Sequence, residues 1–222
     1  MAIMRSAAWL VFATLLHGHL YAQEAPGAWH SMFDGKTLGS WRETAFTGHG
    51  KARIENEAIL LGPGAPMTGV TWTGEFPKSG YEVRFEAARI DGNDFFASLT
   101  FPVGDSFCTW VLGGWGGDIV GLSSIDGWDA SDNETRTYVD FEKGHWYRFR
   151  VKVTAERITG WVDDRQIVDV AIAGRKVGLR YGEIKLSAPF GFASYGTAGG
   201  VRKIEYRADP SIPVKFVPAP VR

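Results

Sequence analysis

The stretch GGWGGDIVGLSSIDGWDASDNET, from Gly113 to Thr135, sets one tryptophan between two glycine pairs and then gathers acids around a second. Glycines remove neighbouring Cβ atoms and permit unusual backbone angles, so Trp115 can stand clear and stack on the apolar face of a sugar ring. It can equally fold over a sheet edge, with the glycines chosen for turn geometry. Trp72, in GVTWTGEF, and Trp128 are further platform candidates. Asp126, Asp129, Asp132, Asn133 and Glu134 offer the oxygen ligands that a hard cation such as calcium takes. The spacing fails the EF-hand pattern, because no acid follows Asp126 or Asp129 at the second position and the required glycine is missing. The other reading is a polar loop whose Asp and Asn side chains cap its own turns.

A second group lies upstream. In YEVRFEAARI, Glu82, Arg84 and Glu86 share one face of a strand. The two glutamates stand about 13 Å apart at ~3.3 Å per residue, beyond the roughly 5–9.5 Å at which two carboxyls hydrolyse a glycosidic bond. This is either a solvated charge ladder or an open ligand face to which the next strand adds Asp94, Ser98 and Thr100. On such a face an arginine donates paired hydrogen bonds to hydroxyls or to a developing negative charge. Beyond the leader, the histidines His30, His49 and His145 have no zinc spacing. No Gly-x-Ser-x-Gly elbow is present, and Cys108 lies in an apolar strand, where it reads as a buried, unreactive thiol.

The elements that must position these residues are strands. Period-two alternation recurs in YEVRFEAARI and in WYRFRVKV (Trp146–Val153), and no stretch holds a period of 3.6 residues. ITGWVDDRQIVDV reads as two short strands about an Asp163-Asp164 turn, and FFASLTF, SFCTWVL and DIVGLSSI add three more runs. APFGFASYGTAGGVRKIEYR reads as a closing hairpin. With 28 glycines and 10 prolines as punctuation, the pattern predicts an antiparallel β-sandwich or jelly roll. Trp110, Trp146 and Trp161 fall in strand patterns and, with Trp41 at the end of MFDGKTLGSW, are assigned to the core.

Arg5, the apolar run Ala7–Leu16 and the polar, small-residue stretch after it have the order of a secretory signal, with cleavage expected after Ala22. The apolar run is shorter than the ~20 residues needed to span a bilayer. The expectation is an exported, periplasmic or secreted chain of bacterial type, without a membrane anchor. About 200 residues remain, enough for one sandwich over 23–208, followed by a proline-rich tail over 209–222 that cannot enter a central strand. One cysteine allows no internal disulfide. The formal net charge of −1 with no basic run argues against nucleic acid or anionic membrane as partner; the expectation of a carbohydrate ligand rests on the glycine-set tryptophan.

The phrase MFDGKTLGSW, from Met32 to Trp41, resembles the opening signature of the 3-keto-disaccharide hydrolase domain family. The resemblance continues through GYEVRFEA, GHWYRFRVKVTAERITGWVDDRQIVD and GFASYGTAGGVRKIEYR, nearly the whole of the chain after the leader. It implies a concanavalin A-like sandwich in an exported protein that opens 3-keto-glycosides by 1,2-elimination or hydration. Such chemistry needs one base, a stabiliser for an enolate and a ring platform. On that reading Asp94 or Glu82 is the base, Arg84 the stabiliser and Trp115 the platform, with Trp72, Trp128, Ser98 and Thr100 as further substrate contacts. Asp126, Asp129, Asp132 and Glu134 remain the metal candidates, with calcium as the ion. The chain departs from the family at GGNSG: Gly92 and Asn93 match, Asp94 replaces the serine, and the acids of the following YEVQILD motif have no counterpart. That departure fits a subgroup that keeps the fold and rebuilds the site, or a lectin-like module that binds without turnover.

Overall fold

The computed structural model describes residues 27–217, so the leader and its cleavage site lie outside the described residues, as do the last five residues of the tail. Two antiparallel sheets carry the chain. The first runs in the order Arg165–Ala171, Arg157–Val162, Tyr147–Val153, Tyr81–Asp91, Ala198–Ala208, Ala58–Leu61 and Ala52–Glu55, with His30–Ser31 also paired to Ala198–Ala208. The second runs Thr137–Tyr138, Ile119–Ser123, Ser106–Gly114, Ser98–Val103, Gly191–Tyr195, Met67–Trp72 and Trp41–Glu43. One 3₁₀ turn, Glu183–Ser187, is the single helical element among the described residues.

Alternation decides what each face buries. Val83, Phe85 and Ala87 of the first sheet point inward with Phe149, Val151 and Val153. Leu99, Phe101, Trp110, Leu112 and Phe192 of the second meet them. Phe85 meets Phe192 edge-on at 4.9 Å between ring centroids, a direct contact between the two sheets. Trp110 stands edge-on to Phe149 at 5.8 Å, and Trp41 packs against Phe192 at 5.6 Å. Aromatic pairs at these separations add to the area they bury. Cys108 is fully buried, and burial raises its thiol pKa far above the ordinary value.

Three expectations are corrected. Trp146 and Trp161 are not core: both are half-buried on the outer face of the first sheet, with the Arg202 guanidinium 4.1 Å from one indole and Arg150 3.7 Å from the other. Trp161 follows Gly160 in the alternation, so inward-facing Gly160 forces its neighbour outward. The closing run is not a hairpin. Gly191–Tyr195 pairs in the second sheet and Ala198–Ala208 in the first, so Gly196-Thr197 carries the chain from one sheet to the other. Asp163 and Asp164 do form a tight turn, with Asp163 at φ 52°. In the tail, Phe216–Val217 pairs with Phe76–Pro77 apart from both sheets.

A smaller apolar cluster forms on the outer side of the second sheet. Phe46, Met67 and Ala193 are buried there, with Phe95 and Ile184 packed against them. It is the base on which the candidate site stands.

Candidate functional site

A cavity of about 380 Å³ opens on the outer face of the second sheet. Its floor follows from strand parity. Leu99, Trp110 and Leu122 face the core, so Ser98, Thr109, Val111 and Ser123 face out and line the cavity. Its walls are the Asp94-Phe95 turn, Trp115, the segment from Arg180 to Ile184, and Tyr195.

The floor is made of hydroxyls whose oxygens already accept. Ser98 Oγ accepts the Leu112 amide at 3.1 Å, and Ser123 Oγ accepts the Ala130 amide at 2.9 Å. Thr100 and Thr109 share one hydrogen bond at 2.9 Å. Each hydroxyl also carries one proton to donate. Among the described residues neither serine hydroxyl has an acceptor, and both residues are buried and line the cavity. The floor therefore favours acceptor oxygens such as a carbonyl or an enolate. Thr100 sits one pair away from the lining, tied to Thr109.

Three charged groups reach the cavity. Glu183 is fully engaged: Thr47 donates its hydroxyl to Oε1 at 2.5 Å and its amide to Oε2 at 2.9 Å, holding the carboxyl below the usual carboxylate range. Asp94 is open. Its Oδ1 accepts the Phe95 amide at 2.7 Å, and among the described residues its Oδ2 receives no hydrogen bond. The Asp94 amide donates to Thr197 Oγ1 at 3.0 Å, which fixes the turn. Arg180 stands 3.3 Å from Asp129 and 5.4 Å from the centroid of the Trp115 ring. It joins the acidic loop to the platform.

The glycine pairs serve the protein interior. Buried Arg89 donates to the carbonyls of Gly117 at 2.5 Å, Gly113 at 3.4 Å and Phe141 at 3.4 Å. A Cβ on Gly113, where φ is +78°, would meet Arg89 Nη2 at 2.3 Å. Burial lowers the pKa of Arg89, and Asp94 is the first of the nearby groups that offset it. Trp115 itself takes φ 51°, a left-handed backbone that costs a non-glycine residue of order 1 kcal/mol or more. The indole is 39% exposed and lines the cavity.

The structure brings together Asp94, Ser98 and Trp115 and separates the others. Glu82 and Arg84 lie on the outer face of the first sheet, across the core from the cavity. Glu82 is bonded by Arg207 at 2.7 Å, and Arg84 by Glu205 at 2.6 Å. The expected sharing of one face with Asp94 fails because the chain changes sheets between Asp91 and Ser98. Trp72 packs edge-on against Trp41 at 5.3 Å and donates its indole N–H to the Glu75 carbonyl, away from the cavity. Trp128 is 63% exposed and does not line it.

The acidic loop is knit to arginines. Arg175 holds Asp126 at 2.8 Å and also Glu134, while Asp132 accepts the Ser131 hydroxyl. Asn133 donates to the carbonyls of Leu122, Trp128 and Asp129. Among the described residues no three His, Cys, Asp or Glu groups converge as metal ligands, because each acid of the loop turns to a local partner instead.

Sequence reasoning missed Arg180, Tyr181, Glu183 and Tyr195. One signal was present: GLRYG, from Gly178 to Gly182, sets an aromatic beside glycine as GGWGG does, and Tyr181 is fully exposed at the cavity.

An all-antiparallel sandwich with an aromatic-walled, hydroxyl-floored cavity on one sheet is the architecture of a carbohydrate-related protein. The model of the 3-keto-alpha-glucoside-1,2-lyase-like domain matches residues 28–207, and the chain belongs to that family. No curated protein matches the chain in sequence. Among solved structures it is similar to the carbohydrate binding module CBM66 from Bacillus subtilis, at 12% identity and a TM-score of 0.53, covering 76% of this chain and 96% of that one. It is also similar to the Crh5 transglycosylase in complex with NAG, at 11% identity and 0.55, covering 84% and 85%. The Emp47p carbohydrate recognition domain is similar at 11% identity and a TM-score of 0.51, over 81% of this chain and 93% of that one. At such identities the likeness is one of fold.

Proposed function

We propose that the protein acts on a 3-keto-glycoside in the cavity of the second sheet, with Asp94 as the base. The observation that carries this reading is a single open carboxylate, on Asp94, facing a platform tryptophan above a floor of unspent hydroxyl donors. Glu183, the other carboxylate of the cavity, has both oxygens on Thr47, so a two-carboxylate hydrolysis lacks its second partner.

A ketone at C3 acidifies the C2 proton. Asp94 takes that proton, and the C2–H electron pair forms an enolate whose charge rests on the C3 oxygen. Ser98, Ser123 and Arg180 supply donors and positive charge for it, in place of Arg84, which lies on the other sheet. Collapse of the enolate restores the C3 carbonyl, forms C1=C2 and breaks the C1–O bond. The departing oxygen recovers the proton from the Asp94 carboxylic acid. Trp115 and Tyr195 bracket the ring.

The test is incubation of the protein with a 3-keto-glucoside and a matched unoxidised glucoside. Elimination from the first and none from the second is the expected result. Binding of both without turnover would replace the reading with the lectin-like one, which the absent YEVQILD acids favour.

Trp115→Ala is expected to weaken sugar binding by about 1–3 kcal/mol, as an exposed platform loses its stacking area. Calorimetric titration reads the affinity and a thermal melt reads the fold. A variant that binds sugar unchanged but melts far lower would make the indole a structural one.

The leader-like order of Arg5, Ala7–Leu16 and Ala22 supports export. Mass spectrometry of native material is expected to find a chain that begins near Gln23, and retention of Met1 would oppose export.

A further inference from the structure

The outer face of the first sheet carries cations beyond the needs of its own carboxylates. Arg84, Arg150, Lys152, Arg202, Lys203 and Arg207 project there among Glu82, Glu86 and Glu205. Glu205 takes Arg84, Glu86 takes Arg202 and Lys203, and Glu82 takes Arg207 at 2.7 Å. Arg150 and Lys152 reach only 3.8 and 3.9 Å from that same Glu82, whose second and third partners they are, and Asp209 at the edge of the face is a further carboxylate near Lys152. Arg150 also lies directly opposite Arg84 on the neighbouring strand. Like charges at directly opposed positions oppose sheet formation, so folding alone does not favour this pair.

Three indoles lie against the four arginines. The Arg150 guanidinium lies 3.7 Å from the Trp161 ring, those of Arg84 and Arg207 lie 4.1 and 4.6 Å from Trp29, and Arg202 lies 4.1 Å from Trp146. Side chains held in this way have less rotamer freedom to lose when a ligand arrives. Neighbouring strands stand ~4.8 Å apart and alternate residues ~6.7 Å along each strand, so the face sets cations and glutamates at spaced positions, with the cations in excess.

We infer that this face is a second binding site, for a linear acidic polysaccharide that bears carboxylate or sulfate groups, separated from the cavity by the sandwich core. A polymer whose charges are spaced and alternate with ring faces matches cations interleaved with tryptophans. The three glutamates oppose the denser phosphate array of nucleic acid, which places one charge about every 1.7 Å of duplex axis.

The site is tested by affinity electrophoresis through gels containing alginate (a polyuronate), heparin (a sulfated chain), neutral dextran or duplex DNA. Retardation by alginate or heparin and none by dextran is expected, and the arm that retards tells carboxylate from sulfate. Arg150→Gln with Lys152→Gln should weaken that binding by roughly tenfold or more, and 0.5 M salt (about 4 Å of screening length) should abolish it. Glu82 keeps Arg207 in this variant. If it nevertheless fails to fold, Lys152→Gln with Lys203→Gln leaves Arg150 on its tryptophan, removes only two lysines more exposed than Arg150, and should weaken binding severalfold. No retardation by either acidic chain overturns the proposal, as does equal retardation of wild type and folded variant. DNA bound as tightly as alginate and heparin also overturns it, in favour of indifferent polyanion binding. Turnover or sugar binding in the cavity is expected to be the same in these variants, so the result stands apart from the role proposed for Asp94.

Discussion

Asp94→Asn is expected to lower turnover of a 3-keto-glucoside by roughly 10²–10⁴-fold, the range a positioned general base contributes. The substitution keeps the shape of the side chain and an oxygen to accept the Phe95 amide, so the turn and the cavity wall should persist. It removes the carboxylate proposed to take the C2 proton. Affinity for the sugar is therefore expected to change by no more than a few-fold, and the loss should appear in kcat rather than in KM. Two outcomes would remove Asp94 from the base role: kcat within about threefold of wild type, or a loss confined to KM. Under a binding-only role there is no turnover to lose, and the wild type already shows it.

Arg89→Ala is expected to give the largest loss of stability, about 3–5 kcal/mol, from a cavity and from carbonyls left without their charged donor. For a domain of this size that corresponds to a melting point lowered by roughly 10 °C or more. The effect should reach the site. The Arg89 guanidinium binds the carbonyls on both sides of Trp115, so its removal frees the Gly113–Gly117 turn and should weaken sugar binding as well. Arg89→Lys keeps the charge but presents a point rather than a planar fork, and is expected to fall between the two. A melt of Arg89→Ala within about 2 °C of wild type would show that the turn holds itself.

Much of the fold was legible because a strand writes its buried face into every second residue. Tyr81 to Ala87 and Tyr147 to Val153 show that face without any knowledge of their partners, and Trp110 falls in the core on the same ground. The rule has a blind side. It separates the two faces of a strand but does not say which sheet the strand joins, because pairing is decided by residues far along the chain. For that reason alternation alone sets Glu82 and Arg84 beside Asp94, and makes one hairpin of the run from Ala188, whose halves belong to opposite sheets.

The chain by itself determined an antiparallel sandwich, an unreactive buried cysteine, a tight Asp163-Asp164 turn and a glycine-set Trp115, since each depends on local periodicity or local backbone freedom. It also placed Asp94 and Ser98 within four residues of each other. Only the tertiary structure decided that Arg180 and Glu183 come to the same cavity, that Asp126, Asp129 and Glu134 turn to arginines, and that the glycines about Trp115 make room for Arg89. The partner of a charged side chain is fixed by register and by the path of loops between sheets, and neither leaves a period in the sequence. The same holds for the row of arginines on the far sheet, drawn from strands more than a hundred residues apart, which a near-zero net charge conceals.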